Sequence, residues 1–250
     1  RDAAGRKRGM PTENLLVRNC IVYHAHGGFV IGSEMSGGAR NLFVKDCTFI
    51  GTDIGLRFKT TRGRGGVVEN VHIENIVMKD IVGSAILFDM YYAAQDPVPL
   101  SGEKREPPKV ETFPVTEATP QFKNFYITNV VCNGAAKGIF VRGLPEMNVQ
   151  QIELSNMVLQ SDEGLDMTEG SGITLRNIRL ITKNTDPVLS IHNSKNINLE
   201  KINYGNDANI FLTVSGEKSS NIRLNGTDVK KAKKGVEFTF GATEAALKMN

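Results

Sequence analysis

The six-residue pattern NLLVRN, beginning at Asn14, returns along the chain as NLFVKD at Asn41, NVHIEN at Asn70, NFYITN at Asn124, QIELSN at Gln151, GITLRN at Gly172, NINLEK at Asn196 and NIRLNG at Asn221. Each copy alternates apolar and polar side chains, the period of a strand with one buried face. A second series follows at about 15 residues: GFVIG at Gly28, GLRFK at Gly55, AILFD at Ala85, GIFVR at Gly138, GLDMT at Gly164, PVLSI at Pro187, NIFLT at Asn209 and GVEFT at Gly235. Most copies are 21 to 29 residues apart, and the step from Asn70 to Asn124 is about twice that. Two or three short strands cannot bury an apolar face alone, so the copies must stack; the pattern predicts an all-β fold, a parallel β-helix. A sandwich or barrel would join neighbouring strands through hairpin turns of the Asn-Gly or Asp-Gly kind. Here the repeat is positional.

The repeat covers the whole chain, which predicts one domain over residues 1–250. Asn19, Asp46, Asn75, Asn129, Asn156 and Asn177 share one repeat position and are expected to form a hydrogen-bonded ladder at a turn. Cys20 and Cys47 fall one step later, where other copies carry Ile76, Val130, Met157 and Ile178, so they read as small buried hydrophobes. Stacked strands are close enough for a Cys20–Cys47 disulfide as well. Three cysteines make no disulfide scaffold and fit no zinc spacing. Six of the nine prolines lie between 93 and 121, so the doubled step is expected to hold a long surface loop there.

A net charge of +3 rules out a bulk field for polyanions, so any attraction for acids must come from local clusters. These are Arg1, Arg6, Lys7 and Arg8; GLRFKTTRGRGG (55–66) with Arg40; and Lys230, Lys231, Lys233 and Lys234. No apolar run is long enough to span a membrane. In GLRFK, Leu56 and Phe58 point one way and Arg57 and Lys59 the other. The matching strand before it is preceded by His24-Ala25-His26, and the one after runs through Asp89 to Tyr91 and Tyr92. That column offers His, Arg, Lys and Tyr on about three coils. Its structural alternative is a Lys59–Asp89 cross-strand ion pair, with Arg62 and Arg64 as solvated turn residues beside glycines that need positive φ. His24 and His26 lack a third ligand, so no metal is expected. The glycine pattern is not G-x-x-x-x-G-K-[ST], and the interleaved aromatics that stack nucleic-acid bases are missing. An acidic sugar polymer remains.

HAHGGFVIGSE (24–34), SGGARNLFVKDC (36–47) and GLRFKTTRGRGG resemble the polygalacturonase-type glycoside hydrolases of family 28, a right-handed parallel β-helix family of pectin lyase-like solenoids. Ala25-His26-Gly27 stands for the family's Gly-His-Gly, and Arg57-Phe58-Lys59 for its Arg-Ile-Lys. IGSE and RGRGG look like the bacterial, often exo-acting branch. The resemblance extends from residue 1 to about 143 and continues as repeat pattern only. It implies hydrolysis of α-1,4-linked galacturonic acid with inversion. His26 would lie near the catalytic acid, while Arg57 and Lys59 bind a galacturonate carboxylate, with Tyr92 as the subsite tyrosine. Glu34 and Arg40 would be groove residues of the exo branch or buttresses for the loop.

The family's Asn-x-Asp and Asp-Asp come before its Gly-His-Gly, and neither stands before Ala25-His26-Gly27 in this chain; Asp2, Asp46, Asp53 and Asp89 do not match them. The resemblance therefore implies N-terminal coils lying before Arg1 and a chain inactive by itself. It implies no cofactor and no metal, an acidic polysaccharide (galacturonan or pectin oligosaccharides) as partner, no nucleic acid or membrane partner, a monomer, and a secreted or periplasmic location. A calcium-dependent lyase on the same fold and a non-catalytic carbohydrate-binding β-helix stay open at this stage.

Overall fold

A computed structural model describes residues 2–93 and 110–250. After a short helix, α1 (Asp2–Arg8), the chain winds into a parallel β-solenoid of about eight turns. The first turn holds β1 (Thr12–Arg18), β2 (Ile21–Tyr23) and β3 (Phe29–Gly32), and the second β4 (Ala39–Ile50) and β5 (Leu56–Lys59). β6 (Val67–Asp89) and β7 (Gln121–Arg142) each run through a whole turn. The fifth turn comprises β8 (Val149–Ser161) and β9 (Glu163–Thr168), the sixth β10 (Gly170–Thr182) and β11 (Leu189–His192). The seventh holds β12 (Lys195–Asn203) and β13 (Ala208–Ser215), and the eighth β14 (Ser220–Asn225) and β15 (Ala232–Thr239), before β16 (Leu247–Met249) starts another.

Each turn pairs in parallel with its neighbours, and the register is the one the repeat demands. Leu15, Leu42, Val71, Phe125 and Ile152 align, and so do Phe29, Leu56, Ile86 and Ile139. From the second turn onward these positions point inward and close a continuous core. Phe58, Phe88 and Phe125 meet there with ring centroids 4.7 to 4.9 Å apart, in the tilted and edge-to-face arrangements that aromatic quadrupoles favour.

Two corners per turn explain the asparagines. Asn19, Asp46, Asn75, Asn129, Asn156 and Asn177 all have φ between 53° and 58°, the left-handed region that Asn and Asp enter most readily. The expected ladder forms from Asp46 upward: Asn75 donates to Asp46 at 2.9 Å, Asn129 to Asn75 at 3.1 Å and Asn177 to Asn156 at 2.8 Å. Asn156 breaks the run by donating to the Thr128 hydroxyl instead. A second left-handed column, Asn14, Asn41, Asn70 and Asn124, opens the first four copies of the first sequence series and is also bonded in sequence.

Several expectations need correction. Cys20 is exposed on the first turn and is not a buried hydrophobe; all three thiols are free, so the Cys20–Cys47 bridge does not form. The strand pattern gave no sign of α1, which places Arg6 against the carbonyls of Gly63 and Arg64 at 2.7 and 3.1 Å. Of the proline-rich stretch, residues 94–109 lie outside the described residues, as does Arg1 of the first basic cluster. Residues 110–120 form no helix or strand and dock on the TTRGRGG turn, where the amides of Gly63 and Gly65 both donate to the Ala118 carbonyl at 3.0 Å. Gly65 permits this closeness, because a β-carbon there would lie 2.2 Å from the Glu117 carbonyl oxygen.

Candidate active site

Along the second strand series alternate side chains point away from the core. On it, Val30, Arg57 and Leu87 align across β3, β5 and β6, and so do Gly32, Lys59 and Asp89. Gly32 lets the backbone pass close to Lys59, since a β-carbon there would lie 1.9 Å from the Lys59 carbonyl oxygen, and the His26 carbonyl before β3 accepts from Arg57 Nη1 at 2.9 Å. After β6, the Tyr92 amide donates to the Thr60 carbonyl at 2.9 Å. That bond folds the Tyr92 ring over the pair of cations: Lys59 Nζ is 4.1 Å and the Arg57 guanidinium 6.0 Å from its centroid. The structure therefore brings His26, Arg57, Lys59 and Tyr92 together. Neither Arg57 nor Lys59 has a carboxylate partner among the described residues. Two cations against one aromatic face, with no acid between them, form a cradle for an anion that also has an apolar side.

His26 is almost fully exposed, and its Nδ1 contacts Asp53 Oδ2. The contact fixes the ring and leaves Nε2 as the free nitrogen. Asp53, whose amide also donates to the Ala25 carbonyl at 2.8 Å, enters the site through this contact.

Asp89 is not the partner of Lys59. Its carboxylate takes a two-pronged bond from Arg142 on the next turn, at 2.9 Å from Nε and 2.8 Å from Nη2, and accepts the Tyr91 amide at 2.9 Å. Lys59 and Arg142 flank Asp89 equally in register, and the planar guanidinium meets both carboxylate oxygens where an ammonium meets one. The Tyr91 ring sits between the guanidiniums of Arg62 and Arg142, 5.3 and 5.6 Å from its centroid, and burial pushes its phenol up to about 12.

The turn arginines are not solvated either. Arg62 bonds Glu146 at 2.7 and 3.0 Å and lies over Phe113, while Arg64 meets Asp2 at 2.7 Å. Glu34 and Arg40 stay outside the cluster. Glu34 lies 3.9 Å from Arg64, and Arg40, on the first strand series, bonds Glu13 at 2.7 Å. Among the described residues, no group of three or more His, Cys, Asp or Glu could hold a metal, and no helix is long and apolar enough to cross a membrane.

Fold and cluster together define a parallel β-solenoid with a cationic, aromatic-capped strand face. Residues 7–104, which contain the whole cluster, match the model for glycosyl hydrolases family 28. A polygalacturonase from Ralstonia solanacearum is 39% identical over 88 residues, which are 34% of this chain and 16% of that protein. A probable polygalacturonase from Vitis vinifera is 35% identical over 79 residues, 31% of this chain and 16% of the relative. An exo-poly-alpha-D-galacturonosidase from Dickeya chrysanthemi is 28% identical over 83 residues, 33% of this chain and 14% of the relative. Among solved structures, a hyperthermoactive exopolygalacturonase from Thermotoga maritima superposes with a TM-score of 0.54 at 29% identity, over 64% of this chain and 32% of that one. The matched stretches span only 14 to 16% of these three sequence relatives.

Proposed function

We propose that the chain is part of a pectin-degrading glycoside hydrolase that cleaves α-1,4-galacturonic acid linkages, and that Arg57, Lys59 and Tyr92 hold the galacturonate next to the scissile bond. The observation that carries this reading is the pair of cations without acid partners under one aromatic ring, within a stretch that matches family 28. A galacturonate has both halves of what the cradle lacks. Its carboxylate would take Arg57 in a two-pronged contact and Lys59 as a point charge, and its C–H face would lie on Tyr92.

Cleavage proceeds with inversion: one carboxylic acid protonates the leaving oxygen while a carboxylate activates water on the opposite face. His26, fixed by Asp53, would turn Nε2 toward that acid and help keep its proton in place. The acids themselves match none of Asp2, Asp46, Asp53 and Asp89, so the 250-residue chain alone is expected to release no reducing ends from polygalacturonate. The protein works as a monomer where pectin is found, outside the cell or in a periplasm.

The test is steady-state kinetics on polygalacturonate with the complete enzyme that contains this chain. Arg57→Ala and Lys59→Ala are each expected to lower kcat/KM by about tenfold or more, the scale of one charge-assisted contact. Unchanged kinetics in both would remove the clamp from the mechanism.

A further inference from the structure

The first strand series carries an outward groove that the clamp does not use. Phe43, His72 and Tyr126 stand in register on β4, β6 and β7. Their rings stack with centroids 5.2 and 4.9 Å apart and planes tilted by only 10° and 14°, and Leu16 continues the row on β1. Two residues further along the same strands, a second row presents Arg18, Lys45 and Glu74. Between the rows lies an open cavity of about 420 Å³, within the size range of ligand sites.

Stacking explains the ring faces, which cover one another, but it leaves the ring edges bare. Phe43 is 46% and Tyr126 44% exposed, far more than packing needs. Aromatic edges carry the positive side of the ring quadrupole, so this wall is apolar and weakly attractive to oxygen anions. The opposite wall carries Arg18 and Lys45, neither with an acidic partner among the described residues, against the single acid Glu74. Strands at about 4.8 Å make the four-strand groove roughly 14 Å long, running along the solenoid axis. The occupant is therefore linear, carries carboxylates at intervals and has apolar ring faces or edges of its own.

An acidic peptide meets these needs poorly. The backbone amides and carbonyls of β4, β6 and β7 are already engaged with the turns on either side, so no strand edge is free to take an extended peptide. A sugar chain needs no such edge, since it binds through carboxylates, hydroxyls and C–H surfaces. We infer that this groove binds a carboxylate-bearing segment of a linear acidic polysaccharide, on a different strand series from Arg57 and Lys59. The identity of the sugar rests on the proposed function, whereas the groove and its charge do not. A polymer held there raises the local concentration of its neighbouring segments at the clamp.

The experiment follows the resonances of the folded chain by heteronuclear NMR during titration with a short oligogalacturonate. In the Arg57→Ala/Lys59→Ala chain, the signals of Phe43, His72 and Tyr126 are expected to shift still. Adding either Arg18→Gln or Lys45→Gln should weaken that response by about tenfold, the scale of one lost charge-assisted contact, with the β circular dichroism spectrum kept. The inference is overturned if the groove signals stop responding once the clamp alone is removed. It is also overturned if a polyglutamate peptide or the fully methyl-esterified oligomer moves them as strongly as the acid sugar. In the unaltered chain, shifts confined to the groove refute the clamp and leave the groove standing; shifts confined to Arg57, Lys59 and Tyr92 do the reverse.

Discussion

Neutralising Asp89 tests whether the clamp is held from behind. The carboxylate receives three hydrogen bonds, two from Arg142 and one from the Tyr91 amide, and the two charged side chains are only 13% and 16% exposed. Asp89→Asn preserves size and one acceptor oxygen, but it removes the charge and turns an NH2 group toward Arg142. Loss of one partner from a fully buried pair costs about 3–5 kcal/mol. The slight exposure and the remaining oxygen reduce this to about 2–3 kcal/mol. In a domain of this size each kcal/mol lowers Tm by about 2–4 °C, so a fall of roughly 4–12 °C is expected. Arg142→Gln should cost a similar amount, and the double variant less than the sum of the two, because the second change removes a group already left unpaired. The control is Asp162→Asn, which breaks a 2.6 Å contact to Lys183 whose partners are 55% and 82% exposed, and should cost at most about 1 kcal/mol. Thermal unfolding followed by circular dichroism measures all four. If Asp89→Asn loses no more than Asp162→Asn, or if the double variant is a plain sum, the buried pair does not support Tyr91, and Tyr92 is held by its Thr60 bond alone.

Burial, with help from Lys218, lowers the His192 imidazole to about 4. Between that value and the ordinary 6.5, the folded ring stays neutral while the unfolded ring is protonated; its contribution is complete above 6.5 and is lost as pH falls toward 4, up to about 3 kcal/mol. His192→Gln should flatten the difference in urea stability between pH 7 and pH 4.5; an unchanged difference counts against the buried neutral ring. Gly66→Ala should destabilise by more than about 2 kcal/mol, since its φ is 81° and the new β-carbon would lie 2.1 Å from the Met35 carbonyl oxygen. Gly63→Ala, with a similar φ but nothing within 4 Å, should cost about 1 kcal/mol, and equal losses would remove the steric argument. Cys20 is exposed, while Cys47 and Cys132 are buried with their thiols raised by burial, Cys132 to about 12, so a disulfide reagent should modify one thiol quickly in the folded chain and the other two only on unfolding.

The solenoid was legible because its cause is periodic. Every turn solves the same problem of burying one strand face, so the same apolar spacing and the same left-handed Asn recur, and register follows from the copies alone. Cys20 was misread for the same reason. The repeat assigns it an inward position, but burial needs a turn on both sides, and Cys20 lies just before β2, whose described neighbour is on one side only, β4. Helix α1 has no place in the period, so the repeat was silent about it.

The site divides along the same line. Arg57 and Lys59 were legible because strand alternation alone puts them outward from a core strand. Asp89 was legible as a neighbour but not as a partner, since register sets one cation on each side of it. The choice fell to side-chain shape: guanidinium to carboxylate, ammonium to the ring of Tyr92. The turn arginines were out of reach for a different reason. Arg62 and Glu146 lie 84 residues apart in two connections with no repeat phase, so no spacing in the sequence brings them together. Turns that share a column of strands also share the space beyond the strand ends. Arg62 there pairs with Glu146 two coils away, and Arg64 with Asp2 of α1, so both guanidiniums are largely withdrawn from solvent. That leaves Arg57 and Lys59 as the cations this face holds open, and it gives the basic run its meaning: its outer arginines brace the fold, and its two strand cations are left for a ligand.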